Sequence, residues 1–475
     1  MSLLSKYKML AVVVLLATGV SCKKSFLELT PPTAVSPGDA LKTEADVLVA
    51  VRGMYSGLRT GMSIGATSYA PDAFGRTIPL LGDLMGDNTY QSTSNSGRYT
   101  TYNAYNWTVA DANALGFWGS MYQVILRANN VLNTSLPQSA NMDQYKGEAY
   151  AVRALCYFTL VRYFAKPYTD DPSKLGVPIV LTYDANFKPT RKKIAEVYTL
   201  ILSDLNEAYR LMTQYTNSSQ FSKYGAKALQ AKVYLTMGDM ANAKTAAQDV
   251  ITNGSFKSVE AADYAGYWTN ASYRTDKVET IFEVSSDAVS NLSFDALPYI
   301  YSQGGYGDFL VSDSLYKLFE AADVRKALYP ATTRQGVAII AVSKYPSISN
   351  DRSDTKILRL SEMYLIAAEA SVGTDEGEAR TYVNYITSRR GATAISSTGT
   401  ALFEDIITER RKELAFEGDR YLDLQRLKRD LKRGNNYPSA ARTIAYSNYR
   451  RILPIPQTEV DANPDIKAQQ NDGYQ

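Results

Sequence analysis

The sequence predicts a mainly α-helical protein, built on a scaffold of tetratricopeptide-like helical hairpins. Over about residues 43–60, 117–254 and 357–430, apolar residues recur three and four positions apart, which is the spacing of helices that bury one face. Within residues 223–254 and 359–390, small residues follow the spacing at which tetratricopeptide helices pack closely. These stretches indicate about four helix pairs stacked into a partial solenoid.

Two long segments interrupt this helical pattern. About residues 61–116 and 255–356 lack the helical period, and they are rich in glycine, serine, asparagine and tyrosine. Loops of this length inside a compact chain are usually functional, and the aromatic residues argue against disorder. We therefore expect a large, irregular, loop-rich ligand-binding region inserted into the scaffold, with few short strands. Thr280–Val284 is the best strand candidate.

The scaffold helices can be placed in chain order. Thr43 is the predicted cap of the first helix and Thr190 of a later one, because a threonine hydroxyl accepts a hydrogen bond from a free backbone N–H at a helix start. Between them, residues 117–168 form a predicted helical hairpin. The two repeat segments, 223–254 and 359–390, each supply a further pair of helices.

A run of charges near the end of the chain, Glu409–Leu424, marks a corner between two helices. Gly418 interrupts the apolar period, which resumes at Tyr421. Acidic and basic residues in this run alternate with apolar ones, and charges that leave water need partners. We therefore interpret the run as a packed latch and not as a paired-carboxylate active site in an open cleft.

The composition removes several classes of function. The chain has 475 residues with 51 Lys and Arg against 48 Asp and Glu, so its charge does not suggest nucleic-acid binding. It contains no histidine, which excludes Ser-His-Asp and Cys-His catalysis and the usual zinc sites. Phosphate-binding and dinucleotide fingerprints are also missing from the sequence. We predict no catalytic residue, no metal and no cofactor.

The N-terminus has the pattern of an export signal. In residues 1–21, Lys6 and Lys8 precede an apolar run that is too short to span a bilayer. Cys22 follows directly, and the segment is similar to lipoprotein signals, in which this cysteine is lipidated. The alternative is an ordinary secretory peptide that happens to end in cysteine. Residues 22–42 are polar and rich in proline, so we expect an extended tether.

Several passages of the chain resemble the SusD/RagB family of outer-membrane nutrient-binding lipoproteins. They are Phe26–Pro32 after the cysteine, the helix Gly147–Arg162, the corner Glu409–Leu424 with the letters ERRKELAFEGDRYLDL, and the closing segment Ile452–Tyr474. The resemblance runs from Cys22 to the end of the chain. It implies a single SusD-like domain over residues 43–475.

The resemblance also implies a function. Members of this family are anchored by lipid to the outer membrane, at the cell surface, and they pass a captured nutrient to a TonB-dependent, SusC-like transporter. The family binds without cleaving, so we expect no enzyme activity. Family prevalence and aromatic loops favour oligosaccharides as the cargo. Relatives of the RagB type take peptides, so oligopeptide cargo stays open.

Two sets of loop residues are the candidate ligand contacts. Aromatic rings can stack on the apolar face of a sugar while polar groups bind its hydroxyl rim. The candidates are Asp87, Asn88, Tyr90, Arg98, Tyr99, Tyr102 and Trp107 in the first irregular segment, and Tyr267, Trp268, Tyr273, Tyr299, Tyr301 and Tyr306 in the second. We expect the scaffold to present both sets on one side. The competing interpretation is that these rings only hold the long loops in place.

Two further classes of function stay open at this point. A helical-repeat adaptor lipoprotein would bind a protein partner in a groove lined by helices. A surface glycosidase would need two facing carboxylates, one of them with a raised pKa. Asp83 and Asp87 lie four residues apart and could be mistaken for such a pair.

Overall fold

The structure is a computed structural model. It describes residues 40–60, 63–64, 67–68, 73–269, 272–286, 291–346, 348 and 353–474. The predicted signal peptide (1–21), the predicted lipidation site Cys22 and most of the predicted tether (22–42) therefore lie outside the described residues.

Helices and short strands alternate irregularly along the chain. The α-helices are α1 (Glu44–Arg59), α2 (Thr77–Leu84), α3 (Thr100–Ala104), α4 (Ala112–Leu132), α5 (Ala140–Phe164), α6 (Ile194–Leu211), α7 (Lys223–Met237), α8 (Met240–Asn253), α9 (Tyr264–Thr269), α10 (Leu297–Tyr301), α11 (Asp313–Tyr316), α12 (Leu360–Ser371), α13 (Glu376–Arg390), α14 (Gly399–Glu413), α15 (Arg420–Arg426), α16 (Gln457–Ala462) and α17 (Pro464–Lys467). The strands are β1 (Ser63–Ile64), β2 (Thr67–Ser68), β3 (Thr89–Gln91), β4 (Leu175–Pro178), β5 (Arg191–Lys193), β6 (Thr280–Val284), β7 (Phe309–Val311), β8 (Ala331–Arg334), β9 (Val337–Ile340), β10 (Thr355–Arg359), β11 (Leu431–Lys432) and β12 (Thr443–Ile444).

The long helices form one continuous stack. Helix α1 packs on α4, and the contacts then run from α4 to α5, α6, α7, α8, α12, α13 and α14 in that order. Successive helices that pack on their sequence neighbours are the arrangement of tetratricopeptide-like hairpins. The predicted fold class, mainly α with few short strands, is confirmed. No helix in the described part of the chain is long and apolar enough to cross a membrane.

Local capping explains where several scaffold helices begin. Thr43 Oγ1 accepts a hydrogen bond from Asp46 N, and Asp46 Oδ2 accepts one from Thr43 N at 2.8 Å, so the predicted cap of α1 is a full capping box. The predicted cap at Thr190 is wrong. Residues 191–193 instead pair with β4 as strand β5, and α6 begins after Lys193, whose N–H donates to Glu196 Oε2.

The short strands pair as antiparallel two-stranded ladders throughout the described residues. The predicted strand Thr280–Val284 is confirmed as β6, which pairs with β10 immediately before α12. Strands β3 and β7 come from the two different irregular segments, and they pair over residues 89–91 and 309–311. This ladder brings the two irregular segments together on one side of the scaffold.

The first irregular segment contains more regular structure than its sequence suggests. Helix α2 is buried along its whole length, although it includes a proline and a glycine that disguise its helical pattern. It packs on α15, and the Asp83 carboxylate accepts hydrogen bonds from Phe416 N (3.1 Å) and Gly418 N (2.9 Å). Helix α2 therefore fastens the first irregular segment to the predicted corner at Gly418.

The charged run at this corner is buried and paired. Glu413 is fully buried and accepts hydrogen bonds from Arg325, Arg359 and Arg390 at 2.9–3.0 Å. Arg410 bridges Glu362 (2.7 Å) and Asp423 (2.9 Å). The interpretation of this run as a packed latch is confirmed, because charges in a protein interior need such partners.

Candidate functional site

Four side chains from the two irregular segments form a partly exposed surface, which we call the aromatic ledge: Arg98, Phe294, Tyr299 and Tyr306. The Tyr299 ring lies edge-on to Phe294 (centroids 5.0 Å apart) and 5.7 Å from Tyr306. The Arg98 guanidinium lies 4.2 Å from the centroid of the Tyr306 ring, a cation–π geometry. Phe294 is 60% exposed, so the ledge offers an apolar face to solvent beside a cationic edge.

The β3–β7 ladder determines where the ledge lies. The chain leaves β3 into the loop 92–98, and β7 follows directly after the segment 299–308. Asp308 joins the two because its carboxylate accepts hydrogen bonds from Ser96 N (2.8 Å) and Ser96 Oγ, and its carbonyl accepts from Ser92 N. The ledge is thus held by backbone pairing and by a buried carboxylate.

A recess of about 470 Å³ lies next to the ledge, between β3 and the β8–β9 hairpin. Tyr90 and Val337 line it, and Val337 is 55% exposed. Arg334 lines the same recess and donates to Ser94 O (3.1 Å), Gln303 Oε1 (3.1 Å) and Tyr306 O (2.6 Å). Arg334 therefore links the recess to the backbone of the ledge.

The charges at the ledge are only partly balanced. Asp295 is bridged at 2.8 Å by the buried Arg76 and lies 3.8 Å from Arg98. Because Asp295 pairs more closely with Arg76, the positive charge of Arg98 is only partly compensated on the exposed side of the ledge. Burial, followed by the negative charge of Asp313, raises the pKa of Tyr90 above its usual value, so its hydroxyl stays neutral at physiological pH.

Four of the sequence-predicted ligand contacts meet in this region: Tyr90, Arg98, Tyr299 and Tyr306. Arg98 comes from the first irregular segment and Tyr306 from the second, and Arg98 Nη2 donates to the Tyr306 hydroxyl at 3.3 Å. For these members, the two predicted sets do lie on one side of the scaffold. Their role in ligand binding stays a prediction.

The other aromatic residues of the first set pack inside the protein. Trp107 is fully buried, stacks on Tyr102 at 5.0 Å and donates from Nε1 to the Tyr474 hydroxyl at 2.7 Å. Tyr102 is also fully buried, and its hydroxyl donates to Asp111. The Tyr99 hydroxyl bonds to Thr77 and Arg76. A ring with no exposed face cannot stack on a ligand, so these three rings hold the loop in place instead.

Three of the six residues of the second set are buried as well. Tyr267 shares a hydrogen bond with Thr280, and Trp268 lies under the Lys344 ammonium group at 4.0 Å. Tyr301 is fully buried between Tyr345 and Phe416. These positions favour the competing interpretation for Tyr267, Trp268 and Tyr301. Packing against neighbouring elements fills the space where a ligand would have to stack.

Tyr273 is different again, because it is 50% exposed but lies away from the ledge. It lines a separate recess of about 390 Å³, together with Arg52 of α1 and Asn217. The expectation of one shared surface therefore fails for Tyr273.

Asp87 and Asn88 are structural side chains, in contrast to their predicted contact with ligand. Arg420 donates to both oxygens of Asp87 (2.6 and 3.0 Å), and Arg411 lies 3.4 Å away. Burial alone would raise the pKa of Asp87, but these two guanidinium groups outweigh it and lower the pKa below its usual range. Asn88 donates to Asp83 and accepts from Arg411. Both side chains are buried and make their hydrogen bonds within the protein, so neither is positioned to contact a ligand.

Sequence reasoning missed Phe294, Asp295, Gln303 and Arg334. Phe294 is an isolated aromatic residue in a polar stretch, so no period marks it. Arg334 precedes Gln335 and Gly336, which both have positive φ (49° and 80°), as the turn of a tight hairpin requires. A hairpin prediction from the Gln-Gly pair would have placed Arg334 at a loop tip, next to a turn.

Among the described residues, no cluster of three or more acidic or cysteine side chains could hold a metal ion.

A helical-repeat scaffold that carries partly exposed aromatic side chains on inserted loops has the architecture of a binding protein. Residues 40–235 match a family model described as "Starch-binding associating with outer membrane", and residues 330–474 match the model of the SusD family. The chain belongs to the SusD/RagB family.

Individual relatives agree with this assignment over nearly the whole chain. The chain is 29% identical to SusD-like protein P2 of Formosa agariphila, over 99% of this chain and 100% of the relative. It superposes on a SusD superfamily protein of Bacteroides thetaiotaomicron with a TM-score of 0.81 at 29% identity, covering 90% of this chain and 99% of that one. A putative sugar binding protein of Bacteroides vulgatus gives a TM-score of 0.81 at 28% identity, covering 92% and 100%.

Proposed function

We propose that this protein is a lipid-anchored nutrient-binding protein of the outer membrane. It captures oligosaccharides on the aromatic ledge and delivers them to a TonB-dependent transporter, without cleaving them. The observation that carries the proposal is the ledge itself, where three adjacent rings and one partly exposed guanidinium group come together from two loops. The match to a family described as starch-binding and associated with the outer membrane supports the role and the location.

The geometry of the ledge suits a sugar better than a protein partner. Phe294, Tyr299 and Tyr306 are staggered edge to face, so successive faces can contact successive apolar patches of an oligosaccharide. Arg98 and Asp295 supply hydrogen-bond donors and acceptors at the same edge for hydroxyl groups. The neighbouring recess of about 470 Å³, lined by Tyr90 and Arg334, extends this surface.

A binding screen tests this proposal. The purified protein is titrated with panels of oligosaccharides and oligopeptides, and the best ligand is then measured by calorimetry against Tyr299→Ala and Tyr306→Ala. Loss of a ring that stacks on the ligand costs about 2 kcal/mol, so we expect an affinity lower by roughly thirtyfold. Analysis of the recovered ligand should show that its bonds are intact.

Tyr183→Ala is the matched control, because Tyr183 is 67% exposed and does not belong to the ledge. This variant should bind as the parent does. If the protein binds oligopeptides more tightly than oligosaccharides and the ledge variants lose that binding, the proposed cargo is wrong but the ledge remains the binding site. Equal affinity of all three variants would exclude the ledge as the ligand site, and cleaved ligand would show an enzyme.

A further inference from the structure

One loop on the scaffold is unusually exposed and apolar. Residues 181–188 are exposed without interruption. Among them, Leu181 is 42% exposed, Tyr183 67% and Phe187 51%. Large apolar side chains that are exposed together usually mark a contact surface.

This loop is held firmly at both ends. At one end, Asn129 of α4 and Asn133, which directly follows α4, donate side-chain hydrogen bonds to Val180 O and Leu181 O, both at 2.9 Å. At the other end, Asn463 donates to Pro189 O at 2.7 Å. A turn from Asp184 to Phe187, closed by a 3.2 Å backbone hydrogen bond, forms the tip. The apolar residues thus project from a fixed base.

The loop lies at the same end of the scaffold as the start of the described chain. Glu44, at the start of α1, accepts hydrogen bonds from Ser139 and Asn141, where α5 begins. Asn133, which holds Leu181, directly follows α4, and the short connection 134–139 joins these points. The chain from Cys22 to Glu44 spans at most roughly 75 Å when extended. A lipid on Cys22 would therefore tether this end of the scaffold, and not the opposite end, within that distance of the membrane.

We propose that the loop 181–188 contacts the lipid surface beside the proposed lipid anchor, on which this inference rests. Tyrosine and phenylalanine are suited to the headgroup region of a bilayer. Within residues 181–193, Lys188, Lys192 and Lys193 are exposed against one exposed acidic residue, Asp184. The segment that contacts the far end of the loop adds Asp461, Asp465 and Lys467, so the local charge is slightly positive and anionic lipids strengthen the contact. Three side chains are far too few for a stable protein–protein interface of about 800 Å² per partner, which favours lipid over a docked protein.

A tryptophan probe tests the contact directly. The lipidated protein carrying Phe187→Trp is reconstituted into vesicles of phosphatidylcholine and phosphatidylglycerol that contain brominated lipid, a quencher of tryptophan fluorescence. The native Trp107, Trp118 and Trp268 are at most 4% exposed, so their fluorescence stays constant. We expect the emission of Trp at position 187 to shift to the blue and to lose intensity.

Tyr273→Trp provides the matched control, because Tyr273 is 50% exposed on another part of the surface. We expect no quenching at position 273. Flotation of the protein with the vesicles reports the anchor separately. If the protein floats with the vesicles but Trp at position 187 is not quenched, the lipid contact is wrong and the anchor stands. Equal quenching at positions 187 and 273 would also contradict the lipid contact. Absence of co-flotation would instead overturn the anchor, and this inference with it.

A second measurement removes the anchor. The Cys22→Ser variant cannot be lipidated, so any remaining binding to the same vesicles depends on the protein surface. Replacing both Tyr183 and Phe187 by Ser in this variant should lower its partition coefficient by about tenfold for each ring removed. Both rings are exposed, so the fold is retained. Unchanged partition would count against the loop, and any binding that depends on added transporter alone would identify a protein partner instead.

Discussion

Glu413 is a single buried residue on which three buried cations converge. Its carboxylate has no exposed surface and is held by Arg325, Arg359 and Arg390. Burial alone would raise its pKa, but the three guanidinium groups outweigh burial and lower the pKa well below its usual value. Glu413 is therefore ionised at physiological pH, and its charge is shared among three buried cations.

Glu413→Gln should be strongly destabilising. The amide keeps the shape of the side chain but leaves three buried cations with one fewer negative charge, and breaking a buried ion pair in this way costs about 3–5 kcal/mol. The free energy of unfolding from urea titration measures the loss. Glu404→Gln in the same helix is the control, because Glu404 pairs with Arg429 at the surface and should change stability little. Equal losses would contradict the importance of burial.

The residue scale is also where the sequence is least informative about the site. Tyr306 and Trp107 are both aromatic residues in long loops, and composition does not distinguish them. Trp107 is buried because Tyr474, from the end of the chain, accepts its indole N–H, whereas Tyr306 stays at the surface because the β3–β7 ladder ends beside it. Both causes are long-range contacts that no local pattern encodes.

At the scale of elements, helix α2 and the corner at Gly418 approach each other backbone to backbone. A Cβ atom at Gly82 would lie 1.9 Å from Gly418 O, and one at Gly418 would lie 2.8 Å from Pro79 Cα. Gly418 also has φ of +88°, which favours glycine. The two glycines allow Asp83 to reach the backbone N–H groups of the corner.

Gly82→Ala should therefore destabilise the protein severely, by more than about 3 kcal/mol, because neither backbone can yield without breaking the Asp83 hydrogen bonds. Gly53→Ala is the matched control within a helix, since a Cβ there would meet nothing within 4 Å. This control should gain stability by up to about 1 kcal/mol. Thermal unfolding of both variants distinguishes the outcomes, and a stable Gly82→Ala would contradict the close approach.

Elements with a strong local signal were predictable, and those defined by tertiary contacts were not. The tetratricopeptide spacing over residues 223–254 predicts a helix pair, and the structure confirms it as α7 and α8, with Gly238 at φ +79° between them. Helix α2 was missed, because Pro79 and Gly82 obscure its period and its stability comes from burial against the Gly418 corner. The same holds for β5, which forms because β4 is there to pair with it.

For the molecule as a whole, buried ion pairs join the inserted segments to the scaffold. Arg359 leads into α12 and bridges Glu279, which precedes β6, to Glu413 and Glu417. Lys344 of the second irregular segment also pairs with Glu417. Since the ledge belongs to these inserted segments, the charged network that fixes them to the helices also fixes the position of the candidate ligand surface.

This dependence on ionised carboxylates predicts how stability changes with acid. Burial would raise the pKa of Asp423, but Arg410 and Arg426 outweigh it and lower the pKa to about 2. A carboxyl with a lowered folded-state pKa stabilises the protein above its ordinary pKa near 4, and this stability is lost as pH falls toward 2. Asp423 alone should contribute on the order of 2 kcal/mol over that range.

We expect the contribution of Asp423 to the free energy of unfolding to hold between pH 7 and 5 and to fall steeply below about pH 4. Asp83 and Glu148 act in the opposite direction, because burial raises the pKa of each to about 7 and protonation therefore adds stability as pH falls from 7. Asp423→Asn should be less stable at pH 7, yet its stability should decline less between pH 4 and 3, because one of the titrating groups has been removed. It should cost less than Glu413→Gln, since Asp423 is held by two guanidinium groups and Glu413 by three. Urea titrations of parent and variant at pH 7, 4 and 3 measure both effects. Parallel acid profiles would show that Asp423 does not titrate with unfolding.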